Sequence, residues 1–252
     1  MDSNDKKLEK VWNKQYEKND NTALKDNHLF ELEFEAICTS IYSHVNSHKK
    51  IKVLELGCGT GFLIEKLTHH FNKLGIELLC DCVDFSDKAI DLAKDKKISN
   101  VKFYCDDFFN FLENSVDSYN FIISQRSIMA IMEYDKQTKL LNLIKKSLCE
   151  KGVGIFSECF EEQLIKLNNC REIMGLNPIE KVWHSLYLKN DQLDNVFLDV
   201  KFMDFCSTYF FVTRVIYPFF KKPIHNQDIH ERAFKLPNKG DFGFLRLAIV
   251  KK

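Results

Sequence analysis

Residues 53–61 read Val-Leu-Glu-Leu-Gly-Cys-Gly-Thr-Gly. Apolar positions interrupted by Glu55 fit a short buried strand, and the chain then meets Gly57, Gly59 and Gly61 at alternate positions. Leu63, Leu67 and Phe71 mark one face of an amphipathic helix that follows at once and stops at Gly75. Glycine at this spacing lets the chain turn tightly and brings bare backbone against a ligand where a side chain would collide. The pattern predicts a strand-to-helix loop that holds a cofactor at the carboxyl edge of a parallel sheet.

Working outward, the same rhythm repeats. Strands are predicted at Lys52–Leu56, Glu77–Val83, Val101–Cys105, Tyr119–Ser124 and Val153–Glu158, with helices at Gly61–Leu74, from Ser86 through Ala93, and from about Asp135 to Leu148. Ser86 is a plausible N-cap, with Asp87 in the first turn of its helix. Strand and helix alternate through more than 100 residues, which predicts an α/β, doubly wound, mostly parallel sheet. A helix is expected over residues 29–46. After Glu158 the rhythm changes: residues 161–195 look helical and polar with a break at Pro178, followed by the aromatic run Val196–Phe220 and a final strand, Phe244–Val250. Those last two apolar segments are expected to add an antiparallel pair, for seven strands in all. One domain is expected over 1–252, with 1–48 a helical lid, 49–160 a cofactor-binding core, and 161–252 an acceptor-site insertion with the final strands.

Composition bounds the partners. Lys+Arg and Asp+Glu each number 36 in 252 residues, so no basic excess marks a nucleic-acid binder. No apolar run approaches the roughly 18 residues that span a bilayer, and Met1 to Asn13 carry no signal-peptide core, so a cytoplasmic location is expected. The nine cysteines form no Cys-x-x-Cys pair and supply no zinc spacing, so they read as reduced small hydrophobes and no metal is expected.

Residues 51–158 resemble the core of the class I S-adenosylmethionine-dependent methyltransferases. Glu55-Leu56-Gly57-Cys58-Gly59-Thr60-Gly61 resembles the family's first motif almost letter for letter. The resemblance implies that Gly57, Cys58, Gly59 and Gly61 pack against the methionine moiety and sugar, while Glu55 orders the loop and reaches the cofactor's amino group. Asp84, 27 residues after Gly57 in Val83-Asp84-Phe85-Ser86, is placed to take both ribose hydroxyls, since a carboxylate at a strand's end can accept two hydrogen bonds. Helix capping is its structural alternative, though Ser86 can supply that. By the same resemblance Phe85 packs on the adenine. In Tyr104-Cys105-Asp106-Asp107-Phe108, Asp107 (in preference to Asp106) accepts from the adenine amino group, and the Phe108 N–H faces the ring. Ser124-Gln125-Arg126 closes strand four, and the resemblance implies that this edge lies beside the transferred methyl group. The phrase Trp12-Asn13-Lys14-Gln15-Tyr16 resembles a lead-in that folds over the cofactor, with Tyr16 as the contact.

Methyl transfer from a sulfonium is an in-line displacement, so alignment of the acceptor is the main task, and an alcohol acceptor also needs a base. His184, in Val182-Trp183-His184-Ser185-Leu186-Tyr187, is the first base candidate, with Trp183 and Tyr187 as acceptor contacts. Glu158, at the end of strand five, is the second. Arg126 is expected to pair with an anionic acceptor, and so is Arg214 in Thr213-Arg214-Val215-Ile216-Tyr217-Pro218. The Trp-His-x-x-Tyr-Leu and Thr-Arg-Val-Ile-Tyr-Pro phrases resemble methyltransferases of bacterial polysaccharide and capsule biosynthesis. This favours O-methylation of a sugar, nucleotide-linked sugar or phosphorylated metabolite, by a monomer or a homodimer. The alternatives are N-methylation of a small amine, a non-catalytic scaffold, and a dinucleotide-dependent oxidoreductase. The last is weakened because Gly-Cys-Gly-Thr-Gly-Phe-Leu lacks the third glycine of its fingerprint.

Overall fold

The computed structural model describes residues 13, 14, 16, 26–45, 49–220 and 227–252. Trp12 and Gln15 of the N-terminal phrase, with His48 and His225, lie outside the described residues. Strands β1 (Lys50–Leu56), β2 (Glu77–Asp84), β3 (Val101–Cys105), β4 (Tyr119–Gln125) and β5 (Leu148–Cys159) are joined by helices and pair in parallel. Two more strands, β6 (Asp199–Met203) and β7 (Leu245–Lys251), complete one seven-stranded sheet in the order β3-β2-β1-β4-β5-β7-β6. β7 is antiparallel to both neighbours, with Cys159 opposite Leu245 and Met203 opposite Leu247. The order reverses between β1 and β4, so the β1 loop opens at a topological switch point.

Alternate residues of the central strands feed two cores. Val53, Cys82, Ile123 and Ile155 face one side, with α1 (Asn27–His44), α2 (Phe62–Lys73) and α3 (Asp87–Asp95) packed against it. Leu54, Leu56, Val83, Ile122 and Phe156 face the other, beneath α4 (Phe108–Glu113) and α5 (Tyr134–Ser147). Ile37, Leu67 and Phe71 are fully buried, and each stabilises the fold by about 1.5–3 kcal/mol.

The second half departs from expectation in three places. The helix expected over 161–195 is split into α6 (Glu161–Ile173) and α7 (Asn190–Asp194), with residues 174–189 irregular between them. Gly175, at φ 65°, closes α6 through its N–H to the Glu172 carbonyl, and Pro178 prevents resumption. Only the start of the aromatic run pairs as β6. The rest is helical, as α8 (Ser207–Phe211), the π-helical turn Val212–Ile216 and α9 (Tyr217–Phe219). A further helix, α10 (Gln227–Phe234), packs on α1.

Candidate active site

The glycine loop begins where β1 ends. Gly57, Gly59 and Gly61 have φ of 74°, 51° and 71°, the left-handed region that glycine enters without strain. A Cβ on Gly57 would stand 2.3 Å from the Ser127 Cβ, one on Gly61 2.8 Å from the Phe103 ring, and one on Gly59 2.9 Å from the Tyr16 hydroxyl. The glycines thus allow close approach to the loop after β4, to β3, and to Tyr16. The Gly57 and Cys58 N–H groups donate to the Val83 carbonyl at 2.8 and 3.2 Å, joining the loop to β2. Gly61 caps α2 without a side-chain acceptor, so the first N–H groups of that helix are left for a ligand.

Two acids lie beneath this loop. Asp84 is buried, and its carboxylate accepts from the Gly59 N–H and the Ser86 N–H, each at 2.9 Å. Ser86 caps α3 through the Ala89 N–H at 3.2 Å, so Asp84 bridges two loops instead of capping a helix. Glu55 is buried one strand over, with the Cys82 thiol donating to it across 3.9 Å. Burial and the neighbouring Asp84 push the Glu55 carboxyl up to about 8, and burial raises Asp84 too, against the pull of its N–H donors. Burial pushes the Cys58 thiol up to about 11 and so keeps it a neutral wall of the site. A weakly partnered buried acid beside a second one, under a glycine cradle, fits a ligand that carries positive charge. S-adenosylmethionine, with its sulfonium and ammonium groups, is such a ligand.

The flanks of the cradle are formed by the other expected contacts. Asp107 caps α4, its Oδ1 accepting from the Phe109 N–H at 2.8 Å and the Asn110 N–H at 3.4 Å, while Asp106 accepts from the Asp107 N–H at 2.8 Å. The Phe108 ring comes within 3.6 Å of a Cβ built on Gly57, and Phe85 is half-buried at the end of β2. Ser124 hydrogen bonds to Ser127 at 2.9 Å, and the Gln125 Nε2 is buried with no acceptor among the described residues.

Glu158 sits where its strand position predicts, but its carboxylate is committed. It accepts from the Ser124 hydroxyl, the Ser127 and Ile128 N–H groups at 3.0 Å, and the Met129 N–H at 3.2 Å. Burial pushes it up to about 7 and those donors hold it down, so the fully buried carboxyl secures the turn after β4. Arg126, expected to read an acceptor anion, instead pairs with Glu33 of α1, which also takes the Ser157 hydroxyl. Its own backbone is left-handed, at φ 56°. The buried Tyr187 stacks on Phe244, with ring centroids 5.9 Å apart, and is a core residue and not an acceptor contact. Trp183 is 58% exposed, and the half-buried His184 hydrogen bonds through Nδ1 to the Ser185 hydroxyl at 3.2 Å. Their segment is held over the loop after β4 by the Leu186 N–H donating to the Met129 carbonyl at 2.8 Å. Arg214 lies in the π-helical turn near Asp26. The sequence alone did not point to Asp26, Glu33 or Tyr209, which only the fold brings to this region, and His230, a weaker base candidate in the sequence, lies 3.2 Å from Asp26.

Among the described residues no group of three or more His, Cys, Asp or Glu side chains is placed to hold a metal, and no helix is long and apolar enough to cross a membrane. Comparison with known proteins matches a methyltransferase-domain family over residues 47–197. A malonyl-[acyl-carrier protein] O-methyltransferase of Bacillus anthracis is 28% identical over 161 residues, 62% of this chain and 56% of that protein. One from Bacillus cytotoxicus is 30% identical over 58% of this chain and 50% of its own length, so the chain spans about half the length of the curated relatives it matches. Among solved structures, a methyltransferase in complex with the Haloferax volcanii Trm112 activator aligns with a TM-score of 0.64 at 12% identity, over 95% of this chain and 96% of that one. Magnesium protoporphyrin IX methyltransferase from Synechocystis aligns with a TM-score of 0.53 at 12% identity, over 87% and 82%. These two share the fold. With the glycine cradle, its paired acids and the matched domain together, the chain belongs to the class I S-adenosylmethionine-dependent methyltransferases.

Proposed function

We propose that this protein transfers a methyl group from S-adenosylmethionine to an oxygen of a small acceptor that enters beside the loop after β4. The observation that carries this reading is the buried pair Glu55 and Asp84 beneath a loop that only glycine can form. The relatives named malonyl-[acyl-carrier protein] O-methyltransferases support oxygen as the acceptor atom. S-adenosylmethionine supplies, when bound, a methyl group already activated by the adjacent sulfonium charge.

The chain's own residues then hold and orient. Glu55 takes the cofactor's ammonium end, Asp84 its ribose hydroxyls, and Asp107 the adenine amino group, with Phe85 and Phe108 beside the ring. Tyr16, whose hydroxyl stands over Gly59, closes the cradle and excludes water. Ser124 lines the methyl side, and the orphaned Gln125 Nε2 donates to the acceptor. Glu158 acts through position: its four donors fix the turn 127–129 that forms the acceptor's wall. That leaves His184 as the base wherever the acceptor oxygen arrives protonated, as a sugar or nucleotide-linked sugar hydroxyl would. An acceptor oxygen that is already ionised needs alignment only.

The test is a methyl-acceptor screen with isotopically labelled S-adenosylmethionine, read by product mass, across sugar phosphates, nucleotide sugars, malonyl thioesters and small amines. A product heavier by one methyl group on oxygen is expected. Methylation confined to nitrogen acceptors would overturn the assignment.

A further inference from the structure

Arg214 lies in the π-helical turn Val212–Ile216, a rare geometry that recurs at functional sites. Arg171, buried on α6, holds that turn: its Nη1 donates to the Arg214 carbonyl, and its Nε to the Asn177 carbonyl at 2.8 Å. The Arg214 side chain is 16% exposed, and its Nη1 is buried with no acceptor among the described residues. Nη2 stands 3.8 Å from an Asp26 oxygen, an ion pair too long for a hydrogen bond. Asp26 is engaged elsewhere. It caps α1 through the Leu29 N–H, accepts the Tyr209 hydroxyl at 2.7 and 2.8 Å, and lies 3.2 Å from the His230 Nδ1. The Phe210 ring, 5.5 Å from the guanidinium carbon, supports the group but offers no acceptor. Arg214 thus has as its only near carboxylate among the described residues one whose lone pairs are largely taken, and the neighbouring Arg171 adds a second positive charge. A buried guanidinium edge left without an acceptor is a costly arrangement unless a ligand completes it.

The position suits an acceptor. α1 ends at His44 and β1 begins at Lys50, so α1 starts over the opposite, carboxyl edge of the sheet. Glu33 of α1 meets Arg126 at the end of β4, and Asp26 lies seven residues earlier, about 10 Å farther out along the helix. Arg214 therefore stands above the edge where the cradle and the loop after β4 open.

We propose that Arg214 recognises an oxyanion, carboxylate or phosphate, on the methyl acceptor, with the Nη1 edge as the donor and Arg171 as the residue that positions it. This rests on the methyltransferase reading, and its test is separable from that reading. Wild-type protein, R214M and R214K are melted and titrated with sodium malonate, sodium phosphate and neutral malonamide at constant ionic strength, and each is titrated with S-adenosylhomocysteine. The wild-type melting temperature is expected to rise with malonate or phosphate, and the responding anion identifies the acceptor class, while malonamide does nothing. R214M is expected to bind that anion at least tenfold more weakly, and R214K to retain part of the response without the forked geometry. Without ligand, R214M should melt at or above the wild-type temperature, because it removes a buried cation whose Nη1 edge has no acceptor among the described residues. S-adenosylhomocysteine affinity should stay within twofold throughout, so a failed cofactor site shows separately as no binding to the wild type. The proposal is overturned if R214M or, should it not fold, R214K answers both anions as the wild type does, or if the wild type answers neither. A purely structural arginine would lower the R214M melting temperature and leave the anion response intact.

Discussion

Replacing Glu55 by Gln tests the paired-acid cradle with two independent readouts. Burial and Asp84 hold the Glu55 carboxyl at about 8, against an ordinary 4.5. A carboxyl whose folded pKa lies above its unfolded one binds more protons folded than unfolded between those values. Stability from this group is therefore present below about pH 4.5 and lost as pH rises through about 8. The loss approaches roughly 5 kcal/mol at 1.36 kcal/mol per tenfold change in proton affinity. E55Q keeps the shape and cannot ionise. Urea denaturation at pH 5.5, 7.0 and 8.5 should show the wild type falling relative to E55Q, with E55Q the more stable at pH 8.5. Ligand binding should move the other way. A charge-assisted hydrogen bond contributes about 1.5–3 kcal/mol, so E55Q should bind S-adenosylhomocysteine roughly 10- to 150-fold more weakly at pH 8.5. At pH 7 the wild type should also release about 0.9 proton more than E55Q on binding, because a carboxyl at about 8 must ionise to grip an ammonium. Calorimetry in two buffers of different ionisation enthalpy reads that difference. Equal proton release, or affinities within twofold at pH 8.5, would refute the reasoning.

Three further outcomes follow from the geometry. D84A leaves the Gly59 and Ser86 N–H groups without their acceptor, so it should lower stability by about 2–4 kcal/mol in urea melts and weaken S-adenosylhomocysteine binding more than tenfold; wild-type affinity by calorimetry would contradict it. R126M strands the buried Glu33 carboxylate and should cost about 3–5 kcal/mol by denaturant titration, whereas an arginine that only met substrate would cost little. H184A should lower turnover of a hydroxyl acceptor by roughly 100-fold or more with S-adenosylhomocysteine affinity unchanged, and a loss under threefold in a single-turnover assay would remove His184 as the base.

The first half of the chain was legible because its signals are local. Val53 to Gly61 places a strand, a turn and a helix in register, and Ser86 after Asp84 separates the helix cap from the carboxylate that bridges two loops. The Phe108–Glu113 helix was missed because Phe-Phe-Asn-Phe is a poor helix sequence, and Asp107, read as a ligand contact, is also its cap. The second half failed where partners lie far apart in sequence. Glu33 and Arg126 are 93 residues apart, and Asp26 and Tyr209 are 183 apart, so no spacing rule joins them. Tyr187 looked like a polar contact in its phrase, and only the stack on Phe244 shows it as core. Glu158 was correctly placed at a strand end, but four donors supplied by the turn after β4 take it out of play as a base.

The central claim is that the Glu55–Asp84 cradle binds the methyl donor. Isothermal titration of the full chain with S-adenosylhomocysteine and, separately, with NAD tests it most directly. One S-adenosylhomocysteine per chain with a micromolar or tighter dissociation constant, and no heat from NAD, is the predicted result. Saturable NAD binding, or no S-adenosylhomocysteine binding by folded protein at pH 8.5, would contradict it.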